Sequence, residues 1–408
     1  MGKEQKMYVA QNNVWVVRGA KNSCIYDLNT KKLYHLDSVY TEYFCLIKEG
    51  RSQHSIPGKV IDSFLDAGIV VPEEKVVPAL DEFTYSGHID FSWIEITQNC
   101  NLFCRHCYEG SARTITTPEM SFDNFQIAVD SLKKAGIRRV QLVGGEPLTH
   151  STIRNLIDYI SWKFDFTEIF TNGTLLTDEL LDLIQNRGIS LAFSVYSDKP
   201  EIHDFVTCTP GSYNITMATL QKAKDRGIRV RTSSVEMIQV PRFSFGDQSI
   251  EHRVDFPRLT GRASLKLYSR DMAERKLITK ESFQNPIDPE MFFKSRVIHN
   301  CFGERLYIDC DLNVYPCAME RRVSYGNLRH SSVEELILNP YMRMTKDHIK
   351  ECCDCEFRYA CYDCRPDCNG APIDSKPWYC TYDPKNGVWA DKETFLDSLF
   401  IGENRIEF

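Results

Sequence analysis

The sequence predicts an α/β fold built on a partial (β/α)6 barrel of the TIM type, with a small module before the barrel and a cysteine-rich extension after it. Three observations carry this prediction. From Ile89 onward, strand-like and helix-like segments alternate, which is typical of a parallel sheet wrapped by helices. The first 77 residues instead contain short strands followed by two helices, and ten of the sixteen cysteines fall between Cys301 and Cys380.

Residues 1–77 predict a winged-helix-like module. Alternating apolar residues indicate a strand over Met7–Val17 and two more within Asn22–Leu36. Helical spacing follows over Val39–Lys48 and Ile56–Ala67. The second helix carries a single basic residue, Lys59, so the module favours a peptide ligand over DNA. Residues 78–88 then form a linker.

Residues 89–263 supply five strand–helix steps and a less distinct sixth step between Gln239 and Ala263. The active sites of such barrels lie in the loops that follow the carboxyl ends of the strands. The first strand is the alternating run around Ile94, and a helix capped by Ser121 and ended by Gly136 follows it. The later strands are predicted at Val140–Val143, Glu168–Phe170, Ile189–Val195 and Ile228–Val235, and the later helices at Ile153–Phe164, Asp178–Asn186 and Tyr213–Arg226.

Three cysteines, Cys100, Cys104 and Cys107, follow the first barrel strand in a C-x₃-C-x₂-C spacing. Cysteine thiolates hold iron–sulfur clusters, so three of them bind three irons of a [4Fe–4S] cluster and leave the fourth iron open to a small molecule. A structural zinc site is the alternative, but it needs a fourth Cys or His nearby. His106 is adjacent, yet its position between two ligands makes it a poor fourth ligand. The spacing therefore favours an open cluster.

With His106 in the position before its last cysteine, this loop resembles the signature of the radical SAM enzymes. The resemblance implies that the open iron chelates the amine and carboxylate of S-adenosylmethionine. Reduction of the cluster then releases a 5′-deoxyadenosyl radical that abstracts hydrogen. The resemblance also implies the partial barrel, gives Cys100, Cys104 and Cys107 the catalytic role and makes His106 a cofactor-binding residue.

Further cofactor contacts are expected after the later strands. Gly144-Gly145-Glu146-Pro147 resembles the family's GGEP motif, which implies contact with the methionyl amine. Asn172, Ser194 and Ser233 lie where amide and hydroxyl groups suit the ribose or the carboxylate, with an ordinary turn as the alternative for Asn172. Gly261-Arg262 resembles a Gly-Arg-Ala turn of peptide-modifying relatives, so Arg262 is expected to reach a carboxylate or to face solvent.

Residues 301–408, after a connector over 264–300, resemble the SPASM extension. The resemblance implies two auxiliary [4Fe–4S] clusters, and structural zinc sites are the alternative. Leu312 departs from the family, which usually has Gly there. The fourth ligand of the first auxiliary cluster stays open between Cys310, Cys368, a substrate thiolate and none. The implied ligands are Cys301, Cys317 and Cys364 for the first cluster and Cys352, Cys355, Cys361 and Cys380 for the second.

Together these resemblances imply a radical SAM maturase of ribosomally made peptides, of the thioether-forming sactipeptide or ranthipeptide type. The leader of the precursor peptide is expected to add as a strand to residues 1–77, and the core peptide to reach the barrel. Carbon–carbon or carbon–oxygen cross-linking is the enzymatic alternative, and a zinc-binding protein without activity is the other. The implied cofactors are S-adenosylmethionine and three [4Fe–4S] clusters, with a ferredoxin or flavodoxin as reductant.

Composition and charge bear on the partners and the cellular location of the protein. The formal net charge of −7 gives no basic footprint for nucleic acid. No run is long and apolar enough to span a bilayer, and the N-terminus lacks the apolar core of a signal peptide. A cytoplasmic protein without a membrane or nucleic-acid partner is therefore expected.

Overall fold

The computed structural model describes residues 8–51, 53, 55–82, 84, 88–111, 118–368 and 372–400. Within these ranges, no helix has the length and apolar character needed to cross a membrane. Met7, where the first predicted strand begins, and residues 401–408 of the predicted extension lie outside the described residues. The described chain forms an N-terminal module, a central parallel sheet with helices, and a cysteine-rich extension.

The N-terminal module contains five short strands and two helices. Its second, third and fourth strands form an antiparallel sheet, and its first and fifth strands pair with each other. Asn13 has a left-handed φ of +65°, which divides the strand predicted over 7–17 into two. The elements are β1 (Tyr8–Ala10), β2 (Val14–Arg18), β3 (Ser23–Asp27), β4 (Lys32–Leu36), α1 (Ser38–Lys48), α2 (Gly58–Asp66) and β5 (Val70–Pro72).

Six parallel strands form the central sheet in the order β11-β10-β9-β8-β7-β6. The mixed α/β architecture with a parallel sheet confirms the predicted fold class, and β11 supplies the sixth step. No helix lies between β10 and β11 in residues 236–250, all of which the structure describes. The elements are β6 (Phe91–Thr97), α3 (Phe122–Lys134), β7 (Arg139–Gly144), α4 (Ile153–Ile160), β8 (Phe166–Thr171), α5 (Asp178–Asn186), β9 (Ser190–Ser194), α6 (Pro200–Thr207), α7 (Ser212–Asp225), β10 (Val230–Val235) and β11 (Glu251–Asp255).

Two elements of this region differ from the predicted pattern. Helix α4 ends at Ile160 rather than Phe164, because Trp162 has a φ of +63° that a right-handed helix does not allow. Helix α6 was not predicted; Pro200 opens it, at the position where a missing N–H costs nothing. Helix α6 ends beside the loop that follows β6, because the Phe103 and Arg105 amides donate to the Thr207 and Val206 carbonyls at 3.2 and 3.0 Å.

The cysteine-rich extension continues the central sheet. Strand β12 pairs in parallel with β6, opposite the side that β7 occupies, and β13 and β14 follow as antiparallel neighbours. The chain between Cys301 and Cys317 therefore forms an antiparallel hairpin of β12 and β13. The elements after β11 are α8 (Arg270–Lys276), α9 (Pro289–Ser295), β12 (Arg305–Ile308), β13 (Asn313–Tyr315), β14 (Gly326–Asn327), α10 (Val333–Leu336), β15 (Tyr382–Asp383), β16 (Val388–Trp389) and α11 (Lys392–Leu399).

The N-terminal sheet packs against this extension through buried side chains. The Tyr26 ring is fully buried, and its centroid lies 4.8 Å from that of Phe292. The Tyr26 hydroxyl donates to the Glu356 carbonyl at 3.0 Å, and His35 Nε2 lies 2.8 Å from Glu356 Oε1. Phe357 belongs to the same hydrophobic core. The module and the extension therefore share one core.

Candidate functional site

The loop that carries Cys100, Cys104 and Cys107 leaves the carboxyl end of β6 and turns back on itself. The Cys107 amide donates to the Cys104 carbonyl at 3.3 Å, and the Leu102 amide donates to Cys100 Sγ at 3.4 Å. Burial, together with the nearby Glu146 carboxylate, raises the pKa of Cys100 to about 12. Burial and the two neighbouring thiols also raise the pKa of Cys104. The loop thus gathers three thiols, and the raised pKa values of Cys100 and Cys104 mean that those two need bound positive charge to ionise, which fits an iron–sulfur cluster.

The glycines after β7 bring that strand against the cysteine loop. The Gly145 amide donates to the Thr97 carbonyl at 2.9 Å, and the Glu146 amide donates to the Asn99 carbonyl at 2.7 Å. A Cβ on Gly145 would lie 2.2 Å from the Asn99 carbonyl oxygen, so only glycine fits. Pro147 then begins a short 3₁₀ helix, Pro147–Thr149. The two glycines therefore let the backbone after β7 lie directly against the cysteine loop.

Glu146 is buried, and its carboxylate binds protein groups. It accepts hydrogen bonds from the Thr171 hydroxyl at 2.7 Å, the Asn172 amide at 2.7 Å and the Leu148 amide at 3.1 Å. Burial nevertheless raises the pKa of Glu146 to about 7. The Glu146 side chain links the end of β7 to the end of β8, and its charge acts on the Cys100 thiol.

Asn172 uses its side-chain amide within the protein. The amide nitrogen donates to Asn101 Oδ1 at 2.9 Å, and the amide oxygen accepts from the Thr174 amide and hydroxyl at 2.9 and 2.6 Å. These bonds to Thr174 form the ordinary turn that was the alternative prediction for Asn172, and the bond to Asn101 also connects the turn to the cysteine loop. The contact to ribose or carboxylate remains a prediction.

Ser194 and Ser233 lie side by side at the ends of β9 and β10, where they are paired in register. Tyr196 follows on the same side of the site and contacts both the Ser194 hydroxyl and the Cys104 thiol. The His106 ring packs edge-on against Tyr196, with 4.8 Å between ring centroids. Burial and the Arg262 cation lower the pKa of His106 to about 4, so the ring is neutral. Its buried Nδ1 has no hydrogen-bond partner among the described residues.

Arg262 holds the cysteine loop through hydrogen bonds to backbone carbonyls. Its Nε donates to the Cys104 carbonyl at 2.9 Å and its Nη1 to the Ser111 carbonyl at 2.7 Å, while the guanidinium lies 4.0 Å from the Phe103 ring centroid. Gly261 has a φ of +60°, and a Cβ there would lie 2.3 Å from the Cys107 carbonyl oxygen. The guanidinium binds loop carbonyls, which charged donors favour, rather than simply facing solvent, and its contact with a carboxylate remains a prediction.

A buried charge network below the loop was not predicted. Glu95, on β6, is fully buried and accepts from the Tyr307 hydroxyl of β12 and from Arg321 Nη2, the latter at 2.9 Å. Arg321 Nη1 also donates to Glu109 Oε1 at 3.0 Å, just after the cysteine loop. The signal in the sequence was a carboxylate between two isoleucines of a strand, because a buried charge requires a partner.

Four extension cysteines meet at one cavity. Cys352, Cys355, Cys361 and Cys380 line it together with Lys346. Burial raises the pKa of Cys352 to about 11, and the thiols of Cys361 and Cys380 contribute to that shift. The structure therefore brings together the four residues proposed for the second auxiliary cluster.

Cys301, Cys317 and Cys364 form a separate group, in which burial and the thiols of Cys301 and Cys317 raise the pKa of Cys364. The two other suggested thiolates have protein partners of their own. Cys310 Sγ lies 3.4 Å from Glu95 Oε1 in the barrel core, and Cys368 Sγ lies 3.3 Å from the Ser375 carbonyl oxygen. The group holds three thiols.

Across the described residues, no group of three or more His, Cys, Asp or Glu side chains surrounds a position for a single metal ion. A four-iron cluster differs from such a site, because each thiolate binds a different iron of the cube. The absence of a single-ion site therefore does not conflict with cluster binding by the three cysteine groups.

Comparison with known proteins agrees with this geometry. Residues 94–251 match the sequence model of the Radical SAM superfamily. The antilisterial bacteriocin subtilosin biosynthesis protein AlbA of Bacillus subtilis (strain 168) is 29% identical over 284 residues, which cover 64% of this chain and 61% of AlbA. The chain thus spans less than two thirds of that relative's length.

Two solved structures share the fold. Streptococcus suis SuiB bound to precursor peptide SuiA superposes with a TM-score of 0.52 at 12% identity, over 90% of this chain and 98% of SuiB. Native anSMEcpe with bound AdoMet superposes with a TM-score of 0.53 at 13% identity, over 76% of this chain and 97% of anSMEcpe. The family match, the partial barrel and the cysteine loop agree over residues 94–251, and a Radical SAM domain there implies S-adenosylmethionine and a [4Fe–4S] cluster.

Proposed function

We propose that this chain is a radical SAM maturase that cross-links a ribosomally made precursor peptide, forming thioether bonds between a cysteine and a carbon of another residue. When bound, the cluster and S-adenosylmethionine supply the radical that removes a hydrogen atom from the peptide. The role of the chain's own residues is to hold the cysteine loop between Gly145, Glu146 and Arg262. AlbA is named for subtilosin biosynthesis, and SuiB was solved with a precursor peptide.

The observation that carries the thioether assignment is the three-thiol group of Cys301, Cys317 and Cys364. Cys310 and Cys368 lie against other partners, so a cluster held by this group has one position without a protein thiolate. A cysteine of the substrate supplies the missing ligand, which also places its sulfur for bond formation. Carbon–carbon or carbon–oxygen joining needs no such ligand.

The N-terminal module is proposed to bind the leader of the precursor. Its three-stranded sheet ends in β2 on one side and β4 on the other, and strand edges accept an added peptide strand. Because this sheet shares a core with the extension, a bound leader is held close to the cysteines. A ferredoxin or flavodoxin is proposed as the reductant.

The test is anaerobic incubation of the reconstituted chain with a short cysteine-containing peptide encoded beside its gene, S-adenosylmethionine and dithionite. The expected product has lost two hydrogens per linkage, as measured by mass spectrometry, and Cys100→Ala yields none. Alkylating the peptide cysteines beforehand must stop the reaction. Continued loss of hydrogen from the alkylated peptide would favour carbon–carbon or carbon–oxygen joining. A colourless protein with zinc and little iron would refute the proposal.

A further inference from the structure

Two buried cations share one carboxylate beside the second cysteine group. Lys346 and Arg365 are 6% and 0% exposed, and Asp363 between them is 7% exposed. Lys346 Nζ lies 2.6 Å from Asp363 Oδ1, and the Arg365 guanidinium contacts Asp363 Oδ2. These pairings leave one positive charge unbalanced where water is excluded, and a buried charge of this kind requires compensation.

Two further buried donors beside these cations have no acceptor. Arg365 Nε and His299 Nε2 make no hydrogen bond to any described residue, whereas Lys346 Nζ is held by its ion pair with Asp363. His299 Nδ1 accepts from the backbone amides of Cys301 and Phe302 at 3.1 and 3.2 Å, so the neutral ring carries its proton on Nε2.

The missing negative charge belongs to the neighbouring cysteine group. Lys346 lines the cavity together with Cys352, Cys361 and the other two thiols of that group. The charges of Lys346 and Arg365 both act on the thiols of Cys352 and Cys361. A [4Fe–4S] cluster with four thiolates carries net negative charge, and its sulfur atoms accept hydrogen bonds.

We propose that Lys346 and Arg365, partly balanced by Asp363, are the counter-charge of the second auxiliary cluster and raise its reduction potential. A positive charge beside the cluster stabilises the reduced state, which is the more negative of the two states. This inference rests on the proposed function only in that a cluster occupies Cys352, Cys355, Cys361 and Cys380. Lys346 and Arg365 act as positioning and electrostatic residues, since neither is a ligand.

The test is a redox titration of the full-length reconstituted holoprotein, followed by EPR, with the second cluster's signal assigned by its loss in Cys380→Ala. In Lys346→Gln, the ratio of reduced to oxidised cluster at a fixed potential should fall about tenfold, which for one electron is a shift of about 59 mV. Lys346→Arg should restore the wild-type ratio. Lys350→Gln is the matched control, because that lysine has a 66% exposed side chain and pairs with Asp374 at 3.1 Å; its ratio should change less than about twofold.

Asp363→Asn supplies a test of opposite sign, because it removes the carboxylate and leaves both cations. Its reduced fraction should rise, which a merely structural defect would not produce. If Lys346→Gln loses iron, Asp363→Asn decides alone, and an unchanged or lowered reduced fraction overturns the inference. An unshifted Lys346→Gln with full iron content also overturns it. Absence of any Cys380-dependent signal in the wild-type protein refutes the cluster assignment itself.

Discussion

Replacing Arg262 with glutamine should loosen the cysteine loop. The wild-type guanidinium donates to the carbonyls of Cys104 and Ser111 and lies over the Phe103 ring. Glutamine removes the charge and cannot span both carbonyls. The backbone amide of residue 262, which donates to the Cys107 carbonyl at 3.0 Å, remains, so the loop keeps one of its links to this segment.

The magnitude follows from the two hydrogen bonds that the substitution removes. A hydrogen bond to a charged donor contributes about 1.5–3 kcal/mol, and the two carbonyls released here regain some water. The closed loop should therefore lose about 2–4 kcal/mol relative to open forms, which raises the open population roughly 30- to 700-fold. Arg262→Lys keeps the positive charge but loses the paired N–H donors of the guanidinium. Its population of open loop should therefore lie between those of wild type and Arg262→Gln.

Hydrogen exchange of the metal-free protein measures this opening directly. Peptides covering residues 99–110 should exchange faster in Arg262→Gln, and iron should dissociate faster from the reconstituted variant. Arg105→Gln is the control on the same loop. The Arg105 Nε donates to the Phe205 carbonyl at 3.0 Å and its guanidinium lies 4.0 Å from the Phe205 ring centroid, so about tenfold faster exchange or less is expected. Exchange and iron retention equal to wild type in Arg262→Gln would refute this role of Arg262.

Three further predictions follow from buried groups. Burial raises the pKa of Glu146 from 4.5 to about 7, so the folded apoprotein binds that proton more tightly than the unfolded chain, and stability falls as pH rises between these values. Glu146→Gln should remove about 3 kcal/mol of this pH dependence in denaturant titrations at pH 4.5 and 7.5, and an unchanged slope would contradict the assignment. Leu312→Gly should lower the unfolding free energy by about 1–4 kcal/mol, because the loss of a buried leucine side chain outweighs relief of its left-handed φ of +71°. A higher unfolding free energy in the variant would show instead that the backbone strain outweighs the burial. Cys310→Ala should keep the iron content of the wild-type protein while Cys364→Ala loses iron, and iron loss in both would return Cys310 to the ligand set.

Sequence periodicity predicts a secondary-structure element well when the apolar residues and caps of the element itself determine its position. Helix α5 covers Asp178–Asn186 as predicted, because its apolar residues repeat on one face and Thr177 caps it. Helix α4 was predicted too long, since nothing in the apolar pattern shows that Trp162 takes a left-handed φ. Local pattern therefore predicts the existence of an element better than its end.

Contacts between segments far apart in the chain could not be predicted from the sequence. Residues Ser92 and Leu306 meet across β6 and β12 although 214 positions separate them, and neither strand's pattern names its partner. Arg262 was singled out by the turn that contains it, but a guanidinium suits carbonyls as well as carboxylates, so its partner could not be chosen. The buried contact of Cys310 with Glu95 has the same origin, because it depends on the β12–β13 hairpin entering the sheet.

The position of β12 beside β6 has a consequence for biogenesis. During synthesis β6 leaves the ribosome about two hundred residues before the strand that covers its second edge. Until then β6 presents open backbone groups at the edge of a half-built sheet, and such edges pair readily with other chains. Newly made chains should therefore depend on chaperones until the extension emerges, and truncation before Arg305 should yield aggregates rather than a smaller soluble barrel.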